Sequence, residues 1–130
     1  MLTSSQILKL TLYGLALWLI AALLIKFGRP LGAFEGTMGV VSYLVAVPIS
    51  ILFVPIAGRI AGLEAHQLLS GATVSVVAAV LCDGIGLNWG SALYGGPGSS
   101  LAPAAGWLLW GVGVSLAYGF WRSQQALKPS

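Results

Sequence analysis

Fixed charge is what this chain has least of: six Lys or Arg and three Asp or Glu serve 130 residues. A soluble domain of this length needs a polar surface over its core, and so few charged side chains cannot build one. The single cysteine, Cys82, has no partner for an internal disulfide and no CxxC or Cys/His cluster around it. The single histidine, His66, has only Glu64 beside it, which is not a metal set. Ser/His/Asp, Walker-type and GxGxxG arrangements are missing, and Gly14, Gly84 and Gly86 do not compose a phosphate loop. No catalytic residue, metal or cofactor is therefore assigned, and a membrane enzyme stands third among the open functional classes, behind a scaffold and a carrier. The net charge of +3 and the pI of 9.4 do not point to nucleic acid, because the basic residues stand singly between apolar stretches.

Apolar residues are what fill the chain, at 58 % of the total with a mean hydropathy of +0.94. The partner this composition implies is the lipid bilayer. Charge-free windows run from Leu10 to Ile25, from Gly36 to Gly58, from after His66 toward Tyr94, and from about Leu101 to Trp121. Such lengths suit a hydrocarbon core of about 30 Å at a helical rise of about 1.5 Å per residue. Helix is required because backbone amides in lipid must be satisfied within the segment, and the polar/apolar alternation of barrel strands is lacking. The expectation is an all-α, four-helix transmembrane bundle in one domain, with spans over residues 10–27, 37–57, 68–93 and 102–121. The first span reads as a retained signal anchor, since Ala21-Ala22-Leu23-Leu24 continues into further apolar residues rather than a polar mature start.

Orientation follows from the basic residues. Lys9, Arg59, Arg122 and Lys128 fall on one side of these spans, Lys26 and Arg29 on the other. The excess places both termini in the cytoplasm, in what reads as a bacterial inner membrane. The linker Gly95-Gly96-Pro97-Gly98-Ser99-Ser100 carries no charge that would oppose translocation.

Two spans carry small residues at a spacing of four: Gly71, Ser75 and Ala79 leading to Asp83 in the third, and Gly111, Ser115 and Gly119 in the fourth. Small side chains at that spacing let helix backbones approach closely, within one bundle or between copies. Pro48 and Pro55 in the second span each remove a helix hydrogen bond and predict kinks.

Asp83 is the one carboxylate inside a span. Ionisable residues at membrane depth are rare and mark functional or packing sites. Helical rise puts it about 18–22 Å along the third span, between the middle and the outer third. Asn88 and Tyr94 are the nearest polar neighbours in sequence and complete a candidate intramembrane polar site with it; Lys26 and Arg29 are the cations on the same side. An interhelical hydrogen bond is the first expectation for Asp83. Proton or ion handling is the sharper alternative, for which no second embedded acid or histidine supplies a relay.

Four stretches carry a family resemblance: Tyr13-Gly14-Leu15-Ala16-Leu17-Trp18-Leu19, the proline-containing second span, Leu81-Cys82-Asp83-Gly84-Ile85-Gly86-Leu87 leading to Tyr94-Gly95, and Ala105-Gly106-Trp107-Leu108-Leu109-Trp110-Gly111. On these the chain resembles an uncharacterised bacterial family of small four-span integral membrane proteins, a domain of unknown function. The resemblance implies the fold and no activity. The functional expectation is an accessory or scaffold subunit that packs through its small-residue helix faces, as a homo-oligomer or in a larger membrane complex. The alternative is a small proton- or ion-coupled transporter using Asp83. In size and span number the chain is similar to the small multidrug exporters, but those carry their essential acid in the first span, and this first span has none.

Overall fold

Residues 1–128 are described by a computed structural model. Four long helices account for most of them: α1 (Ser4–Gly28), α2 (Gly36–Ala61), α3 (Leu68–Trp89) and α4 (Leu101–Ala126). Among the described residues there is no strand. All four helices are long and apolar enough to cross a membrane, as the charge-free windows require.

The helix ends are set by local chemistry. α1 begins before the apolar run because Thr3 caps it: Gln6 N–H donates to Thr3 Oγ1 at 3.1 Å, and Thr3 N–H donates to Gln6 Oε1 at 2.9 Å. These reciprocal bonds satisfy two donors that a helix start leaves open. The amide of Gln6 also reaches the Ala61 carbonyl at 3.2 Å, tying the start of α1 to the end of α2. α2 runs unbroken through Pro48 and Pro55 and stops at Gly62 in the left-handed conformation, φ 66°. α3 ends at Trp89, short of the expected residue 93. Gly90 leaves helical geometry, and Ser91–Tyr94 form a separate 3-10 turn. Tyr94 thereby stands outside the span and folds back toward it.

Up-and-down threading makes α1 parallel to α3 and α2 parallel to α4, and these parallel pairs pack most extensively. Both use the same register. Ser75 Oγ donates to the Leu10 carbonyl at 2.9 Å and Ser115 Oγ donates to the Ser50 carbonyl at 3.1 Å, each across 65 positions of sequence. Trp107 Nε1 meets the Ser42 carbonyl at 3.1 Å across the same interval. The molecule is thus two helical hairpins laid side by side.

Dense core gathers at the two ends of the bundle. Ala22, Ile25, Phe34, Tyr94 and Ala104 are buried together at the end that carries the α1–α2 and α3–α4 connections, called here the loop end. Leu10, Ala57, Ala61, Val54, Leu68 and Ala72 are buried at the end that carries both termini, the terminal end. Leucine, isoleucine, valine and aromatic side chains cover the outside, among them Leu12, Leu44, Leu52, Leu81 and Ile85. Lipid rather than water is the solvent that such a surface matches.

Candidate functional site

The middle of the bundle, between the two cores, is hollow. A cavity of about 160 Å³ lies there, walled by side chains from all four helices. That is close to the roughly 150 Å³ of an apolar cavity known to hold one benzene ring. The walls are mainly Leu, Ile, Val, Ala and Phe, and Asp83 is the one acidic or basic side chain among them. Tyr13, Ser75 and Ser115 also border it, but their hydroxyls are engaged with backbone: Tyr13 donates to the Phe53 carbonyl at 2.9 Å, and the two serines to Leu10 and Ser50. Their role is to join helices where the neighbouring carbonyls would otherwise face an apolar space.

Asp83 stands six positions before the end of α3, about 9 Å from it by helical rise. Tyr94 turns back from the 3-10 turn and donates its Oη proton to Asp83 Oδ1 at 2.7 Å. Tyr94 Oη in turn accepts Trp18 Nε1–H of α1 at 2.8 Å. Indole, phenol and carboxyl therefore form one chain of hydrogen bonds linking α1, the turn and α3. Tyr94 is fully buried. Burial, and then the bond to Asp83, push its phenol above the ordinary tyrosine range, so it remains a proton donor. Trp18 and Asp83 face the cavity, while Tyr94 lies behind them in the loop-end core.

Arg29 holds that turn in place. Its Nε donates to Ser100 Oγ at 2.8 Å, and its Nη1 donates to the Tyr94 carbonyl at 2.7 Å and to the Gly96 carbonyl. A planar fork of donors suits a cluster of carbonyls as an ammonium would not. The following residue, Gly95, has φ 92°, a conformation glycine adopts without strain.

Of the expected site residues, Asp83 and Tyr94 are brought together. Asn88 is exposed on α3 and makes no hydrogen bond to either. Neither Lys26 nor Arg29 pairs with Asp83; the ion pair among the described residues is His66 with Glu64, 3.3 Å apart. The small-residue stripes point inward. A Cβ on Gly71 would run into Leu63, Gly111 faces Ser50 Oγ, Gly119 faces Leu69 and Ala72, and Ala79 lines the cavity. Ser75 and Ser115 make the two interhelical bonds already described. Pro48 is exposed, and Pro55 borders a cleft at the terminal end.

Three partners escape sequence reasoning. Trp18 reads as one more aromatic in an apolar run, and nothing local announces its bond to Tyr94. Gly14 passes so close to Ser75 that any Cβ would overlap that residue's backbone, yet it belongs to no repeating stripe. The cavity itself is built from four helices at once and has no signature in any of them.

Compared with protein-family models, with curated proteins and with solved structures, the chain matches none.

Proposed function

We propose that this protein is a small membrane carrier that binds one lipophilic cation in the cavity and exchanges it for a proton at Asp83. The observation that carries the reading is the position of Asp83 as the one charged-type group on an otherwise apolar wall. Such a site rewards an apolar body and one positive charge, and the cavity volume fits a solute about one aromatic ring in size. The carboxyl holds either a proton or the cation, one at a time, which couples their movements. Tyr94 orients it from the side away from the cargo and is itself held by Trp18.

The bacterial inner membrane, the cytoplasmic termini and kinship with the four-span family belong to the same proposal. The basic residues support the orientation: Lys9, Arg59, Arg122 and Lys128 at the terminal end against Lys26 and Arg29 at the loop end.

Benzyltrimethylammonium is a suitable probe. Wild-type protein is expected to bind it saturably, read as a change in the fluorescence of the cavity tryptophans. Proteoliposomes should take it up against an outward proton flow, with Asp83→Asn losing both signals. Unchanged binding or flux in Asp83→Asn would remove the carrier reading.

An accessory subunit in a larger membrane complex is the second reading, favoured by one observation. Gly84 and Gly113 have open space above them on the lipid-facing surface, where another helix can come close. Gly84→Leu with Gly113→Leu then dissolves a native-membrane complex while the isolated bundle keeps its stability. Migration as the isolated bundle in both wild type and variant would sink this reading.

A further inference from the structure

We propose that the terminal end of the bundle holds a site for the phosphate of one anionic phospholipid, built by Arg59 of α2 and Arg122 of α4. Both arginines line a single cleft of about 410 Å³ whose other walls include Pro55, Gly58, Gly62 and Leu68. They come from parallel helices, so the cleft is a feature of the folded bundle and not of either helix alone.

The electrostatics of this end leave positive charge uncompensated. Neither arginine pairs with a carboxylate among the described residues, where the ion pair is His66 with Glu64. Glu64 lies between two residues of the cleft wall, Leu63 and Ala65, and its carboxylate contacts His66 and neither arginine. Arg122 is also positioned: its Nη1 donates to Tyr118 Oη at 3.0 Å, and its guanidinium sits 5.9 Å from the Tyr118 ring centroid. An oriented guanidinium with a second one across a cleft is the arrangement that grips phosphate through paired N–H donors.

The neighbourhood favours a lipid as the source of that phosphate. Arg59 stands two positions before the end of α2, and Arg122 directly follows Trp121. Ile56, Ile60, Phe120 and Trp121, near the two arginines along their helices, are exposed apolar side chains. The guanidinium groups therefore lie where apolar side chains give way to polar ones, the level of the headgroups, with an apolar wall below for the acyl chains. Two arginines that merely complement helix C-terminal dipoles need no lipid of a given charge, and this difference makes the proposal testable.

The protein in a neutral detergent is titrated with phosphatidylglycerol, with phosphatidylcholine and with inorganic phosphate. Native mass spectrometry reads bound lipid, and thermal unfolding reads stabilisation. The expected result is a single retained phosphatidylglycerol and a rise in Tm that neither phosphatidylcholine nor phosphate reproduces. Arg59→Gln with Arg122→Gln should weaken that lipid roughly tenfold or more, as loss of charge-assisted bonds implies, while Lys9→Gln with Lys128→Gln leaves it unchanged. Equal retention of phosphatidylcholine, or retention in the arginine double variant, overturns the proposal. An equal Tm shift from inorganic phosphate alone overturns its assignment to lipid. The lipid series on the wild type keeps the test decisive even if the double variant fails to fold.

Discussion

Gly86 and Tyr94 compete for one space: a Cβ on Gly86 would stand 2.9 Å from both Cε1 and Oη of the tyrosine. The missing side chain is what lets the ring lie against α3 and set its hydroxyl on Asp83. Gly86→Ala should therefore displace Tyr94 and lower stability by about 1–3 kcal/mol, the usual cost of overpacking. Gly84→Ala, which has open space above it, should be neutral or slightly stabilising because alanine favours helix. Thermal unfolding of the two variants in one detergent checks the contrast.

Gly14 is the tightest point between α1 and α3, since a Cβ there overlaps the Ser75 carbonyl. Backbone cannot step aside as a side-chain tip can. Gly14→Leu is expected to prevent the bundle from closing, seen as loss of a monodisperse peak on size exclusion. Ser75→Ala, which removes one interhelical bond, should cost only about 0.6 kcal/mol, the average for such bonds in membranes.

The Trp18–Tyr94–Asp83 chain predicts coupled energies. Trp18→Phe should destabilise the wild type by about 0.6–1.7 kcal/mol and do almost nothing once Tyr94 is Phe, because the acceptor has gone. A double-mutant cycle on unfolding free energies reads this directly. Additive effects would mean that the indole and phenol are neighbours without a bond of consequence.

Alkaline conditions test Tyr94 by a separate route. Its folded phenol is raised above the ordinary value by burial and by Asp83, so the folded state keeps a proton that the unfolded chain releases near pH 10. Linkage then gives full stability below about pH 10 and a decline above it. Tyr94→Phe should lessen that decline, measured as the difference in Tm between the two proteins across the alkaline range.

Arg29→Lys keeps the charge and loses the fork. Three acceptors, on Tyr94, Gly96 and Ser100, lose their common donor. Faster amide exchange over residues 95–100 is expected, with a stability loss of about 1–3 kcal/mol from the unpaired groups.

Much of the architecture is legible in the chain itself because lipid leaves it few choices. Helix number and approximate limits follow from the charge-free windows, bounded by residues such as Lys9, Glu35, Arg59 and Arg122. The limits that differ have local causes: Thr3 and Gln6 extend α1, and Gly90 cuts α3 short. Asp83 and Tyr94 could be placed in one candidate site, together with Asn88, because one is the sole embedded acid and the other a phenol shortly beyond it. Trp18 could not, since the bond spans 76 positions and depends on how α1 lies against the turn. Asn88 is closer to Asp83 in sequence than Tyr94 is, but it is exposed on α3. The direction of the small-residue stripes was equally hidden, for spacing alone does not distinguish a face turned to a neighbour helix from one turned to another copy.

The shared 65-residue register bears on the order in which the bundle is made. The first hairpin enters the membrane with its two closest partners, α3 and α4, still unsynthesised. Gly14 then faces lipid where Ser75 will later sit, and Ser50 awaits Ser115. Nothing resembling the final cavity exists until the second hairpin slides alongside the first. If the hairpins insert in chain order, the bundle is completed by docking the second half on the first, and the 3-10 turn with its buried tyrosine locks only at that step.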